Sequence, residues 1–277
     1  MLPLETDGGT MAKADILFES VDHRVVRYAD LVKGEGIQAN QFAIRHGSHG
    51  ALIDPGGDLT FTPLTIELSR QLNLQGLDYI LASHQDPDII ASLPRWMLHS
   101  NCKVAVSKLW SRFLPHLAST FVTSRVGEQW QSRILALPDE GARLPFGDTE
   151  LWALPAHFLH SVGNFSFFDP ISRILFSGDI GASLDGEEAA VAKFEDHVPA
   201  MDGFHRRYMA GNRACRLWVH MIRELKPAMI VPQHGGYFDR PETVELFLDW
   251  LERLECGPDL MEPRQYRLPP RVSAYPE

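Results

Sequence analysis

The apolar run Leu77-Asp78-Tyr79-Ile80-Leu81-Ala82 leads directly into Ser83-His84-Gln85-Asp86-Pro87-Asp88, and this junction constrains the chain more than any other segment. The run reads as a buried strand bounded by a turn. An imidazole and two carboxylates therefore arrive at alternate positions at a strand's C-terminal end, where α/β proteins place their chemistry. Groups this close repel or desolvate one another unless something positive sits among them, and a metal ion is the most economical such partner. The competing reading is a polar turn into a helix, with Asp86 as N-cap and Asp88 favoured in the first turn by the helix dipole.

Three later strand ends shift the balance. His157 and His160 follow Leu151-Trp152-Ala153-Leu154-Pro155, Asp179 follows Ile174-Leu175-Phe176-Ser177-Gly178, and His234 follows Met229-Ile230-Val231-Pro232-Gln233. Each has a plain alternative: a loop histidine, a turn aspartate before Gly181, or a histidine at the tight Gly235-Gly236 turn. Taken together with the first cluster, they point to a metal site assembled from segments distant in sequence.

The length of 277 residues suits one large domain or two small ones. Strands and helices alternate in both halves, which favours a layered α/β architecture. Residues 15–60 read as short strands and turns, with hairpin arms at 39–45 and 50–54. Helices are expected at 64–72, 88–99 (with a kink at Pro94), 109–119, 199–225 (interrupted near Gly211) and 242–255. Further strands are expected at 104–106, 133–137, 149–154, 164–168, 173–177 and 228–231. Residues 1–14 form a tail, 15–256 the folded body, and 257–277 a Pro-rich tail that wraps the surface or stays loose. No apolar run reaches the length of a membrane span, and no signal peptide is expected from the polar, Gly-rich start. The net charge of −10 argues against nucleic acid or an anionic membrane as partner. The three cysteines, Cys102, Cys215 and Cys256, form no CxxC pair and read as reduced thiols of a cytoplasmic protein.

The order His84-x-Asp86-x-Asp88, His160, Asp179, His234, each after a strand, resembles the metallo-β-lactamase fold superfamily over roughly residues 35–255. Residues 36–44 and the turn Asp54-Pro55-Gly56-Gly57 match its opening strands. The resemblance implies a single-domain, four-layer αββα sandwich. Hydrolases of that superfamily carry His-x-His-x-Asp-His in the first cluster, whereas this chain has Asp86 and Ile89 at the second and last positions. A carboxylate at position 86 is similar to the flavodiiron branch, with its His-x-Glu-x-Asp-His, and most of all to stand-alone oxygen-binding di-iron proteins without a flavodoxin domain. By that pattern His84, Asp86 and His160 hold one metal, Asp88 and His234 the other, and Asp179 bridges. Such an oxygen-rich, thiolate-free set suits iron, with manganese or zinc as substitutes, and no flavin is expected in this chain. Ile89 leaves the second metal one imidazole short, a gap that His157 or water could fill.

Two functions follow from this reading. One is a non-haem di-iron protein that binds or reduces dioxygen or nitric oxide, as a sensor or with a separate electron-donor protein. The alternative is a metal-dependent hydrolase of an ester, lactone, thioester or phosphodiester, against which Asp86 and Ile89 both count. A metal-free interaction scaffold is a third reading, which the six ligand-type residues disfavour, and a homodimer is compatible with all three. Trp96, Phe165, Phe167, Tyr237 and Phe238 read mainly as core, with an apolar gas pocket as the other possibility. Arg206, Arg207, Arg213 and Arg216 read as a solvated or salt-bridged helix face. His205 is a weak candidate for a place near the metals. Asp185-Gly186-Glu187-Glu188 reads as an exposed loop at the site mouth.

Overall fold

In the computed structural model, residues 13–34, 36–118, 124–125, 129–184 and 189–269 are described. The acidic stretch 185–188, most of the N-terminal tail and the last part of the Pro-rich tail lie outside them.

The strands form two sheets. The first has seven strands in chain order: β1 (Lys13–Glu19), β2 (His23–Ala29), β3 (Gln41–His46), β4 (His49–Ile53), β5 (Leu77–Leu81), β6 (Lys103–Ser107) and β7 (Ile134–Leu137). Strands β1 to β4 are antiparallel and β4 to β7 parallel. The second sheet has the order β12-β11-β10-β9-β8, from β8 (Ala142–Phe146), β9 (Thr149–Pro155), β10 (Phe165–Asp169), β11 (Ile174–Gly178) and β12 (Met229–Pro232). Only β11 and β12 run parallel in it.

Side-chain alternation divides the interior into three apolar layers. In β4, Ala51 and Ile53 face the second sheet while Leu52 joins the layer that also holds Phe61, Leu64, Leu93 and Trp96. In β10 and β11, Phe165, Phe167 and Phe176 fill the space between the sheets, while Phe168 and Leu175 pack with Trp218, Phe247 and Leu251. Helices α1 (Asp58–Ser69), α2 (Pro87–Ile90) and α3 (Leu93–His99) thus cover the first sheet, with the short α4 (Lys108–Ser111) and α5 (Gln129–Ser132) nearby. Helices α6 (Phe194–Tyr208), α7 (Asn212–Leu225) and α8 (Pro241–Arg253) cover the second. The result is the expected αββα sandwich in one domain.

Several elements differ in detail from expectation. Pro94 starts a new helix rather than kinking one, so 88–99 becomes α2 and α3. The stretch from 109 shortens to α4 and a 3-10 turn at Leu114–Leu117. The long helix begins at Phe194 and accommodates Pro199 in its second turn, and Gly211, at φ 136°, separates α6 from α7. Strand β8 carries no clear sequence signal because Pro145 interrupts it, a residue tolerated only because this strand is the sheet edge. The first strand begins at Lys13, and the chain after Gly257 forms two 3-10 turns, Gly257–Leu260 and Pro263–Gln265.

The inter-sheet layer sets the stability of the sandwich. Phe167, 1% exposed, should cost about 3–5 kcal/mol when cut to Ala. Val21→Ala, at a turn position 93% exposed, should stay within about 0.5 kcal/mol. Denaturant midpoints of the two variants check this.

Candidate metal centre

Four loops leaving strand ends converge at one end of the sandwich. Strand β5 delivers His84, Asp86 and Asp88; the turn after β9 delivers His160; β11 and β12 deliver Asp179 and His234. Asp86 occupies the N-cap position of α2 by its backbone, yet its side chain makes no capping bond. The carboxylate turns instead to His160, whose Nε2 lies 3.0 Å from Asp86 Oδ2. Capping therefore does not account for this residue.

Asp179 stands at the centre. Its Oδ2 lies 3.4 Å from His160 Nε2 and 3.8 Å from His84 Nε2. Its Oδ1 faces the other way, 3.5 Å from His234 Nε2, which is itself 3.5 Å from Asp88 Oδ2. The site thus has two halves that share one carboxylate: His84, Asp86 and His160 on one side, Asp88 and His234 on the other. Ligand-type atoms of His84, His160 and Asp179 lie within 4.8 Å of one another. His84 Nε2 and Asp179 Oδ1 are buried without a hydrogen-bond partner. Such orphaned atoms are costly unless something binds them, and a cation between them fits.

The surrounding bonds aim two of the rings. Ser83 donates its backbone N–H and hydroxyl to Asp54, at 2.7 and 3.0 Å. The hydroxyl then accepts from His84 Nδ1 at 3.0 Å, which leaves the Nε2 lone pair facing the site. His234 Nδ1 donates to the Gln38 carbonyl at 2.6 Å, with the same effect on its Nε2. The His234 loop is held by Asn40, whose amide reaches the carbonyls of Pro232 and Gly235 and whose backbone N–H donates to Gln233. Gly235 has φ 72°, and a Cβ there would lie 2.0 Å from Ser183 Oγ, so the turn requires glycine. His160 itself has φ 67°, a sparsely populated conformation for a histidine.

The charges respond to this crowding. The hydrogen bond from His160 holds Asp86 below the usual carboxylate range despite burial. Burial opposes the charge of His160, but the bond to Asp86 and the nearby Asp179 outweigh it and raise the imidazole. Burial pushes His84 down against the pull of Asp179. Asp54 is driven up to about 7, chiefly by burial, with the Ser83 bonds opposing. A proton on His160 thus offsets part of the carboxylate charge that a metal would offset more fully.

Other candidates lie elsewhere. His157 points to the backbone carbonyl of Asp139, 2.7 Å from its Nε2, and does not fill the second half-site. Trp96, Phe165, Phe167 and Phe238 belong to the apolar layers, and Tyr237 lies beneath the Arg27 guanidinium, 5.1 Å from the ring centre. His205 is buried behind the site and supports it: its Nε2 accepts from Gly181 N at 2.8 Å, and burial pushes it down to about 4. Arg206 pairs with Asp202 at 2.7 Å, as a salt-bridged face would. Ile89, fully buried, belongs to the apolar cluster with Ile90, Leu93 and Trp96. The sequence reading missed Phe204 and Tyr208, whose rings lie 5.5 and 5.3 Å from that of His160. Their spacing of four on α6 is the only signal that could have paired them.

The model of the family described as ODP family beta lactamase matches residues 37–235. A structure of the chemotaxis sensor ODP from T. denticola in its apo state is 36% identical, with a TM-score of 0.77, over 90% of this chain and 97% of that one. A flavo di-iron protein variant from Thermotoga maritima shares the fold, at 17% identity and TM-score 0.70 over 88% of this chain and 61% of that one. Among curated proteins, diflavin flavoprotein A 4 of Synechocystis is 27% identical over 217 residues. The chain spans 32% of that relative's length and 53% of that of an uncharacterised protein of Methanocaldococcus jannaschii.

Two outcomes are expected. Asp179→Ala should cost the protein both ions, because one carboxylate serves both halves; elemental analysis after iron loading checks it. In metal-free protein, Ile89→His should be destabilising by about 1–3 kcal/mol, the cost of an unsatisfied polar group in an apolar cluster. If the ring reaches the second half-site, iron will raise the melting temperature of this variant more than that of the parent. Equal shifts would show that position 89 faces only the core.

Proposed function

Since this chain belongs to the ODP family of beta-lactamase-fold proteins, we propose that it is a non-haem di-iron protein that binds dioxygen, with sensing as its primary role. The observation that carries this reading is the division of Asp179, one oxygen toward His84 and His160 and the other toward His234. In this reading His84, Asp86 and His160 hold one ion, Asp88 and His234 the other, and Asp179 is common to both. Three imidazoles and three carboxylates without a thiolate are a hard donor set that favours iron. Two iron ions would supply electrons and an open coordination position for a diatomic ligand.

The chain's own residues prepare for this. The second half offers fewer ligand-type side chains, Asp88 and His234 beside the shared Asp179, so an ion held there would keep more of its coordination for solvent or a small ligand. Ser83 and Gln38 keep the ring nitrogens of His84 and His234 directed inward before any ion arrives. Phe204 and Tyr208 wall the His160 side with aromatic surface. Reduction of dioxygen or nitric oxide would need a separate electron donor. Sensing would not, and the likeness over 97% of the sensor chain supports sensing.

The test is spectroscopic. Protein loaded with iron under anaerobic conditions should gain near-ultraviolet and visible absorbance on exposure to air. Asp86→His should diminish that change and shift metal preference toward zinc. Protein that takes up zinc from a mixture with excess iron, and in that form hydrolyses esters or lactones, would sink the proposal in favour of the hydrolase.

A further inference from the structure

On the outer face of the second sheet, Cys215 and Cys256 bring their sulfurs to 3.8 Å, both residues fully buried and unlinked. Cys215 lies in the first turn of α7. Cys256 follows α8 and caps the 3-10 turn Gly257–Leu260. The Cys256 sulfur lies 3.8 Å from that of Cys215, and the backbone N–H of Gly211 also approaches it. Donors converging on one sulfur favour its thiolate. Asp259 completes the junction by accepting from Asn212 N at 2.6 Å and Cys256 N at 3.3 Å.

We propose that Cys215 and Cys256 form a reversible redox site for a hydroperoxide, with Cys256 as the attacking sulfur and Cys215 as the resolving one. The pair is unequal in the required direction. The bond from Cys215 holds Cys256 below the ordinary thiol range, whereas that same bond and burial drive Cys215 up. The Cys256 thiolate attacks one oxygen of hydrogen peroxide, forming a sulfenic acid and releasing hydroxide, which a solvent proton converts to water. The sulfur of Cys215 then displaces the sulfenic hydroxyl as a second water, and its thiol proton leaves with it. Two thiols and one peroxide thus give one disulfide and two waters. Peroxide is small and uncharged, and Cys256 is followed directly by the short turn of exposed Pro258, Asp259 and Leu260, whose local opening would admit it.

The pair sits where it can be felt at the metal centre. Gly257, at φ 52°, packs so closely on the Met209 carbonyl that a Cβ would lie 2.2 Å from it. Met209 bridges to Leu159, and Ala210 N donates to the Phe158 carbonyl at 3.0 Å, immediately before His160. A disulfide would fasten the turn beneath that loop and close a segment of 41 residues, raising the melting temperature. The thiol site itself does not depend on the identity of the metal.

The experiment treats the iron-loaded chain, and in parallel the same chain after chelation, with a few equivalents of hydrogen peroxide under native conditions. Both should lose two hydrogens by intact mass, give a single 215–256 linked peptide, melt at higher temperature, and revert with dithiothreitol. Cys102, buried and apart from the Cys215–Cys256 pair, should react more slowly. Cys215→Ala should leave a sulfenic acid on Cys256 that dimedone traps, and Cys256→Ala should leave none on Cys215. Linkage that forms only after denaturation, or Cys102 oxidised as fast as the pair, overturns the proposal. Trapping at Cys215 in Cys256→Ala overturns the assigned roles.

Discussion

Asp179 is only 4% exposed, yet it faces imidazoles on both sides, and two sheets must end at one place for that to happen. A buried carboxylate is tolerated only where compensating charge or hydrogen bonds surround it. Here much of that surrounding comes from loops with no other reason to meet. The first sheet supplies His84, Asp86 and Asp88 through β5, and the second supplies His160, Asp179 and His234 through β9, β11 and β12. The aromatic layer between the sheets fixes the separation at which these loops can close on one another. A change of packing there would be read out at the site as a change in the distances around Asp179.

Support for the site is spread over residues that are not themselves ligand-like in sequence. Asp54 acts through Ser83, and Gln38 through a backbone carbonyl. Asn40 holds the Gln233–Gly235 turn from a neighbouring loop. Each contact selects a ring nitrogen or holds a turn, so the inward-facing groups are arranged in advance, which limits the reorganisation an arriving ion must cause.

The layered architecture was legible because short apolar runs such as those of β5 and β11 are bounded by turns, and because ligand-type residues fall soon after them. The six candidate positions could be picked out for a related reason: His84, Asp86, Asp88, His160, Asp179 and His234 each lie in the turn or first helical turn after a strand, and the structure brings all six near one another. What failed did so for local reasons. His157 has the same sequence context as His160 but turns to a backbone carbonyl, a choice made by loop conformation. His205 and the Phe204–Tyr208 wall belong to a helix far along the chain, and no periodicity announces which loop a helix will cover.

The order in which the ligand-type residues occur has a kinetic consequence. The first is at His84 and the last at His234, and the two sheets are completed only when β12 joins beside β11. A parallel pair formed through α6 and α7 is a slow, non-local contact, because long loops must close before it is rewarded. A nascent chain that has folded only its first sheet would carry His84, Asp86 and Asp88 uncovered beyond the C-terminal end of β5, a fragment of a site with little selectivity among cations. Selectivity then arises late, when the His234 turn docks. Cellular metal availability during that interval, rather than affinity in the finished protein, would decide which ion is first trapped inside.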